Sequence, residues 1–389
     1  MNTKTKMTSG KKHVFFISKY GAWQDYRNEV LSFLGRKFSV DIEILTTGSL
    51  KPYLHENEVV KYKLFRSWIP LSAEKWGFFP SAVRYIFKKR PYAVLCQNDT
   101  RQFTEYLAFV ACKLLGIRFV WWTHAHMPSV VYNSNFKKWV RQQYALFFLK
   151  KGDAVITYCS VGKKFLLENG LDSKHVFCAP NTLDTEKLST LAAKYRGQKN
   201  EILNRLKIPA DKKILLYMGR LTQRKNVETA ISLVSELNRK SADSCHLIVI
   251  GDGENRLSLE ELASEIAPGA VTFTGAVFDD ELKAHYFTIA DLFVIPGAVG
   301  LAIIHAFCFG LPVLTTNVKH HGPEIIYLED GKNGFITNEG DTEALVAKTA
   351  ELIGDEEKLQ QMAKHAQKTV IDKANIQLMT AKMAEALAL

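Results

Sequence analysis

The sequence predicts two doubly wound α/β domains in one chain. A length of 389 residues is too much for one hydrophobic core. Short, continuous apolar runs alternate with amphipathic stretches, which is how buried parallel strands and their crossover helices read. The same alternation then starts again after a polar connector.

In the first half the strand-like runs are 13–18, 39–47, 92–97, 117–124, 153–159 and 175–181. Helical patterns fill 24–38 and 104–116 between them. In the second half, 212–219, 246–253, 270–275, 290–296 and 311–316 read as strands, and 227–240 and 341–355 as helices. The connector 185–213 is polar and helix-prone. The expected domains are 1–190 and 191–370, with 371–389 a C-terminal helix that returns to the first domain. Ligands of such sheets gather at the C-terminal ends of the strands.

Composition narrows the class. Apolar residues make up 47% and charged residues 23%, ordinary for a soluble globular protein. The run HVFFI after the polar start is too short for a signal-peptide core, and no stretch approaches the ~18 apolar residues of a membrane span. Six cysteines form no CxxC pair and read as reduced, packed thiols. Charge is split: residues 1–190 hold 29 Lys/Arg against 14 Asp/Glu, whereas 191–389 hold 22 against 26. The two halves therefore face different partners.

Two loops could bind an anion. In YMGRLTQRKNVETA (217–230) a strand ends at Gly219, and Arg220 and Lys225 follow before the next helix. Two cations at the mouth of a parallel sheet suit a phosphate-bearing ligand, although solvated loop cations are an equal reading. In PGAVGLAIIHAFCFGLPV (296–313) a Gly-rich turn frees the N–H groups of Gly300, Leu301 and Ala302 at a helix start. His305 on that helix either packs on an apolar face or reaches toward the turn. HLIVIGDGENRL has Gly-x-Gly after a strand, but Arg256 stands where a dinucleotide fingerprint needs its third glycine.

The order GRL…RK…GDGE…FTGAV…ADLFVIPGAVGL…HAFCFGLPVLTT…GPEII…DGKNGF, over 217–335, resembles the nucleotide-sugar domain of glycosyltransferase family 4, in its bacterial polysaccharide-assembly branch. The TH at 123–124 and APNTLD at 179–184 extend the likeness more loosely into the first half. The resemblance implies the GT-B fold, two Rossmann-like domains facing a central cleft, and a retaining sugar transfer. It assigns Arg220 and Lys225, beside Gly219, to the donor diphosphate, and the N–H groups of Gly300 to Ala302 to its distal phosphate. Ala276 and Val277 match the loop whose backbone reads the nucleobase, and Gly21 matches the acceptor side. His124 matches a histidine near the transferred sugar, or is a satisfied loop histidine. Glu324 either contacts the sugar or caps a helix.

One departure matters. The family pattern carries two glutamates eight positions apart, one facing the sugar and one the ribose; here Gly297 and His305 stand there. His305 can bond a ribose hydroxyl through either ring nitrogen. No Asp-x-Asp occurs, so no metal and no cofactor is expected, and Arg220, Lys225 and the helix start must neutralise the leaving diphosphate. His126, His320 and His321 lack a plausible ligand set for a metal.

The basic half is the acceptor side. Stretches 61–70, 75–92 and 135–153 interleave aromatics with Lys and Arg. They read as core helices with a solvated face, or as segments on an anionic membrane surface. No nucleic-acid reader is present. The expected partners are a nucleotide-sugar donor, UDP-sugar favoured, a lipid-linked or oligosaccharide acceptor and an anionic membrane; the oligomeric state is open. The alternatives are an epimerase or hydrolase of the same fold, or a silent donor-binding subunit.

Overall fold

A computed structural model describes residues 11–18, 25–47, 56–67, 78–125, 135–240 and 244–389. The chain divides into two units, Met1–Leu183 with Ile376–Leu389, and Asp184–Asn375.

Unit 1 is a seven-stranded, all-parallel sheet of β1 (Lys12–Ile17), β2 (Val40–Thr47), β3 (Val60–Phe65), β4 (Ala93–Gln97), β5 (Arg118–Thr123), β6 (Ala154–Thr157) and β7 (Val176–Cys178), in spatial order β3-β2-β1-β4-β5-β6-β7. Alternation along β1 assigns its two faces. Val14 and Phe16 pack with α1 (Asp25–Phe38) and the last helix, α14 (Ile376–Leu387). Phe15 and Ile17 pack with α2 (Ser81–Lys89), α3 (Phe103–Leu115), α4 (Asn135–Lys151) and α5 (Ser160–Glu168). β3 lies inside a stretch whose sequence suggested a membrane surface. Its VKYKLF alternates with period two, and the lysines point out from an edge strand, as edges require.

Unit 2 begins at Asp184, a few residues before the expected 190/191 boundary. The reason is local. Asp184 caps α6 (Thr185–Tyr195) by accepting from the Lys187 amide, and α6 packs on the unit 2 helices. α7 (Lys199–Leu206) completes the connector. The sheet is β8 (Lys213–Met218), β9 (Cys245–Ile250), β10 (Val271–Gly275), β11 (Leu292–Ile295), β12 (Val313–Thr316) and β13 (Gly334–Thr337), in order β10-β9-β8-β11-β12-β13. The helices are α8 (Val227–Lys240), α9 (Arg256–Ile266), α10 (Asp280–Ile289), α11 (Ala302–Cys308), α12 (Thr342–Gly354) and α13 (Glu356–Lys373). Strand order reverses between β8 and β11, which pair at Leu215↔Leu292 and Leu216↔Phe293. Ligands of such sheets gather outside the C-terminal ends of the strands at a reversal of this kind. α13 runs to Lys373, so the segment that returns to unit 1 starts at Ile376, later than the 371 read from sequence.

Candidate active site

The loop after β8 carries Arg220, Arg224 and Lys225, and the loop after β9 clamps it. The Leu221 amide donates to the Asp252 carbonyl at 3.0 Å, and the Asn255 amide to the Leu221 carbonyl at 3.1 Å. This closeness needs Gly251, at φ 147°, because a Cβ there would lie 1.9 Å from the Gly219 oxygen. The Gly-x-Gly of GDGEN is thus a seat for the Arg220 loop. Gly219 is fixed in turn by its amide on the Ile250 carbonyl, 3.0 Å away.

The loop after β11 docks on the same cations. The Ala298 amide donates to the Arg224 carbonyl at 2.9 Å, and Lys225 Nζ donates to the Ala298 carbonyl at 2.5 Å. The Val299 amide donates to His321 Nδ1 at 3.1 Å, and the Val299 carbonyl accepts from the Gly322 amide at 2.8 Å. Every backbone polar group of residues 298 and 299 is therefore taken by protein. The next three amides, of Gly300, Leu301 and Ala302, have no protein acceptor among the described residues. They precede α11 and are the donors an anion would meet.

Electrostatics favour negative charge beside these amides. Burial, then Arg224, pushes the Lys225 ammonium down to about 8, with Glu324 opposing and Arg220 adding to the depression. Such a group gains from an anion that relieves its repulsion. Arg220 is exposed, and its guanidinium has no ion-pair or hydrogen-bond partner among the described residues. Glu324 is buried in the short 3-10 turn Pro323–Tyr327, close enough to Lys225 to raise its pKa. On the opposite side, Ala276 and Val277 follow β10, where the Gly275 carbonyl is tied to the Gly251 amide at 2.9 Å.

His305 sits one turn into α11. Its ring stacks on Phe287 of α10 at 5.4 Å, and its Nδ1 is enclosed without a partner among the described residues. Burial, then Lys283, pushes it down to about 3, so it is neutral. The enclosure narrows the two nitrogens considered from sequence to Nε2. The packing alternative is realised through Phe287, and Nε2 is the ring nitrogen left for a polar contact.

His124 belongs to unit 1. It follows β5 and stacks on Tyr158 at 4.2 Å; desolvation, then Arg27, holds it well below its ordinary value. Arg27 donates to the Tyr158 hydroxyl at 3.0 Å and lies over the Trp122 ring at 5.4 Å. With the Gln97 amide turned as its bonding requires, the oxygen takes the guanidinium at 2.6 and 3.0 Å. Sequence reasoning missed Arg27, since it is one charge in an amphipathic helix. Arg224 and His321 were missed likewise, and the only signal was their position beside Lys225 and Glu324. Gly21 and His126 lie outside the described residues. Among the described residues no group of three His, Cys, Asp or Glu side chains could hold a metal. His320 is exposed and takes part through its carbonyl, which accepts from Arg224 at 3.0 Å.

Comparison with known proteins places this geometry. The family model described as "Glycosyltransferase Family 4" matches residues 35–187, and that described as "Glycosyl transferases group 1" matches 198–369. The chain belongs to glycosyltransferase family 4. Among its relatives, sulfoquinovosyl transferase of Arabidopsis thaliana is 25% identical over 64% of this chain and 48% of its own. A lipopolysaccharide core biosynthesis glycosyltransferase of Rhizobium meliloti (strain 1021) is 28% identical over 43% of this chain and 47% of its own. The chain thus spans about half the length of the curated relatives it matches. The fold of this family 4 chain matches solved GT-B structures along almost its whole length. HepE of Anabaena, solved in complex with UDP, aligns at TM-score 0.72 and 16% identity over 97% of this chain and 99% of its own. A glycosyltransferase of Rickettsia africae aligns at TM-score 0.76 and 17% identity over 97% and 98%.

The departure at Gly297 now has a cause. A Cβ on this residue of the family 4 chain would lie 2.4 Å from the Arg224 oxygen and 2.5 Å from the Lys225 oxygen. The place where the family pattern puts a glutamate side chain is occupied by the cation loop's own backbone. No carboxylate can enter from position 297 unless that loop moves.

Proposed function

We propose that this glycosyltransferase transfers a sugar, with retention of configuration and without a divalent metal, from a nucleotide sugar to a lipid-linked or glycan acceptor. One observation carries the reading: Lys225, pressed by burial and by two arginines, adjoins three backbone amides that have no protein acceptor among the described residues. A donor diphosphate satisfies both. UDP is the favoured nucleotide, because the structural neighbour HepE is described in complex with UDP and with UDP-glucose. The lipopolysaccharide relative supports a role in cell-surface polysaccharide assembly.

In the reaction the bond from the anomeric carbon to the distal phosphate oxygen breaks, and a bond from that carbon to the acceptor oxygen forms on the same face. The acceptor proton passes to the leaving phosphate oxygen. Charge on that oxygen grows as the bond breaks, and Arg220, Lys225 and the amides of residues 300–302 neutralise it without reorganising. Glu324 takes the sugar hydroxyl that position 297 cannot hold. The Ala276–Val277 backbone meets the base, and His305 Nε2 the ribose. His124, neutral at neutral pH, gives unit 1 a hydrogen-bonding group that carries no charge.

The test is turnover across a panel of nucleotide sugars, with and without a chelator, with Lys225→Ala as the control. The expected result is transfer or donor hydrolysis that survives chelation and collapses in the variant. Activity lost to chelator and restored by magnesium or manganese overturns the metal-free reading. Donor binding without any turnover favours a silent subunit.

A further inference from the structure

Unit 1 carries an apolar surface that the donor chemistry does not use. α3 is FTEYLAFVACKLL, with two charged residues in thirteen, and one of them, Glu105, is buried. Its inner face packs on the sheet through Tyr106, Ala108, Phe109 and Cys112. Its outer face should then be polar, and it is not. Phe103, Leu107, Val110 and Leu114, spaced by four, three and four, are all exposed, Leu114 at 75%. α4 repeats the pattern beside it, with Phe136 at 70%, Trp139 at 57% and Phe147 at 58% exposed. The two helices are neighbours: Tyr106 of α3 lies 4.5 Å from Phe148 and 5.1 Å from Tyr144 of α4, ring to ring. Scattered surface apolars need no explanation, but two adjacent stripes do.

We propose that the outer face of α3 and α4 is a docking surface for an anionic lipid bilayer. Charge selects this occupant. The helices α2, α3 and α4 display no exposed carboxylate, whereas Lys88, Lys89, Arg90, Lys150 and Lys151 are exposed around their C-terminal ends. Each helix follows a parallel strand in the same sense, so these ends fall on one edge of the sheet and form a basic rim to the apolar stripe. A second copy of this face would offer the rim no exposed carboxylate from α2, α3 or α4 to pair with. A bilayer takes aliphatic side chains into its acyl region, aromatics at the headgroup level and the rim at its phosphates. The sequence had suggested stretches 61–92 and 135–153 for this role. The structure moves the apolar part to α3, which reads in sequence as an ordinary crossover helix, and leaves β3 as an edge strand.

The surface belongs to unit 1 and the donor residues to unit 2, so it and the proposed function fail separately. The full-length protein is sedimented with vesicles of phosphatidylcholine alone or with phosphatidylglycerol, beside two variants. One carries Leu107→Gln, Val110→Gln and Leu114→Gln; the other carries Lys88→Glu, Lys89→Glu, Lys150→Glu and Lys151→Glu. Expected are binding that requires the anionic lipid and weakens with salt, a loss of tenfold or more (roughly) in the first variant, and a loss on the order of a hundredfold or more in the second. Brominated lipid should quench the wild-type protein more than Trp139→Phe, a readout that stands even if the glutamine variant misfolds. Donor-analogue binding should be the same in all of them. Equal vesicle binding by every protein, or no binding by the wild type, overturns the proposal. So does a wild-type dimer in sedimentation velocity that the glutamine variant dissociates, since a second copy then covers the stripe.

Discussion

The amide of Val299 donates to Nδ1 of His321 at 3.1 Å, while Nε2 of the same ring lies 2.9 Å from the Thr316 carbonyl. Only one tautomer serves both bonds, with the proton on Nε2. The loop that presents the amides of residues 300–302 is thus anchored to β12 through a neutral imidazole.

That anchor predicts a pH dependence. Burial, then Lys225, holds the His321 pKa below its ordinary value, with the Thr316 carbonyl and Glu339 opposing. The neutral ring's contribution to stability is complete above the ordinary histidine range and fades as pH falls through the lowered value. Protonation would point a second N–H at the Val299 amide and release the loop. Donor KM should therefore rise on the acid side while kcat changes less. His321→Asn, whose side-chain oxygen can still accept from Val299, should keep the affinity and flatten the acid limb. His321→Ala should raise KM by roughly five- to tenfold at every pH. Identical profiles for the two variants would remove the acceptor role.

Lys225 predicts a limb on the basic side. With its pKa pushed down to about 8, the ammonium is fully charged only below that value. A diphosphate raises the pKa, so binding takes up a proton and weakens as pH climbs past 8. The stabilisation of the protein by UDP, read as a shift in Tm, should be larger at pH 7 than at pH 9.5. Arg220→Ala and Lys225→Ala should each lower turnover by about 10²–10³, with the fold retained by circular dichroism. A double variant with near-normal rates would sink the diphosphate assignment.

Gly297→Ala should damage both loops at once, because the added methyl meets the Arg224 and Lys225 carbonyls at 2.4 and 2.5 Å. Overpacking of this kind costs about 1–3 kcal/mol, measurable as a lower denaturation midpoint together with weaker donor binding. Gly297→Glu should behave no better. Its failure to restore a family-like sugar contact would show that the backbone, and not the missing carboxylate, defines the site here.

Met379 and Met383 on α14 are fully buried in the unit 1 core. Met383→Ala should destabilise by about 2–5 kcal/mol and leave UDP affinity at the Arg220–Lys225 loop unchanged. A loss of affinity at full folding would contradict the division into units.

The strands and crossover helices were legible because continuous apolar runs and amphipathic periodicity are local signals. β3 was not, since an edge strand shows only half the apolar pattern and its lysines mimic a surface segment. Arg220, Lys225 and Gly300 could be named from loop spacing and resemblance. The meaning of Gly297 could not. Its constraint comes from the carbonyls of residues 224 and 225, more than seventy positions away, which only the β8–β11 pairing brings close. His321 was hidden for the same reason: its partners Val299 and Thr316 belong to two other loop ends.

The path of the chain has a consequence for how the molecule is made. Ile376, Met379, Met383 and Leu387 share one buried cluster with Val14, Phe16 and Val30, so strands made early are covered by a helix made much later. Unit 2 is one uninterrupted stretch and can complete its core as soon as it leaves the ribosome. Unit 1 must wait, with part of one face of its sheet uncovered, until residues 376–387 have been made. A stop codon or protease cut near residue 375 would therefore not trim a tail; it would leave the earliest-synthesised half unable to close. During that interval the nascent sheet is the part of the chain that a chaperone would have to hold.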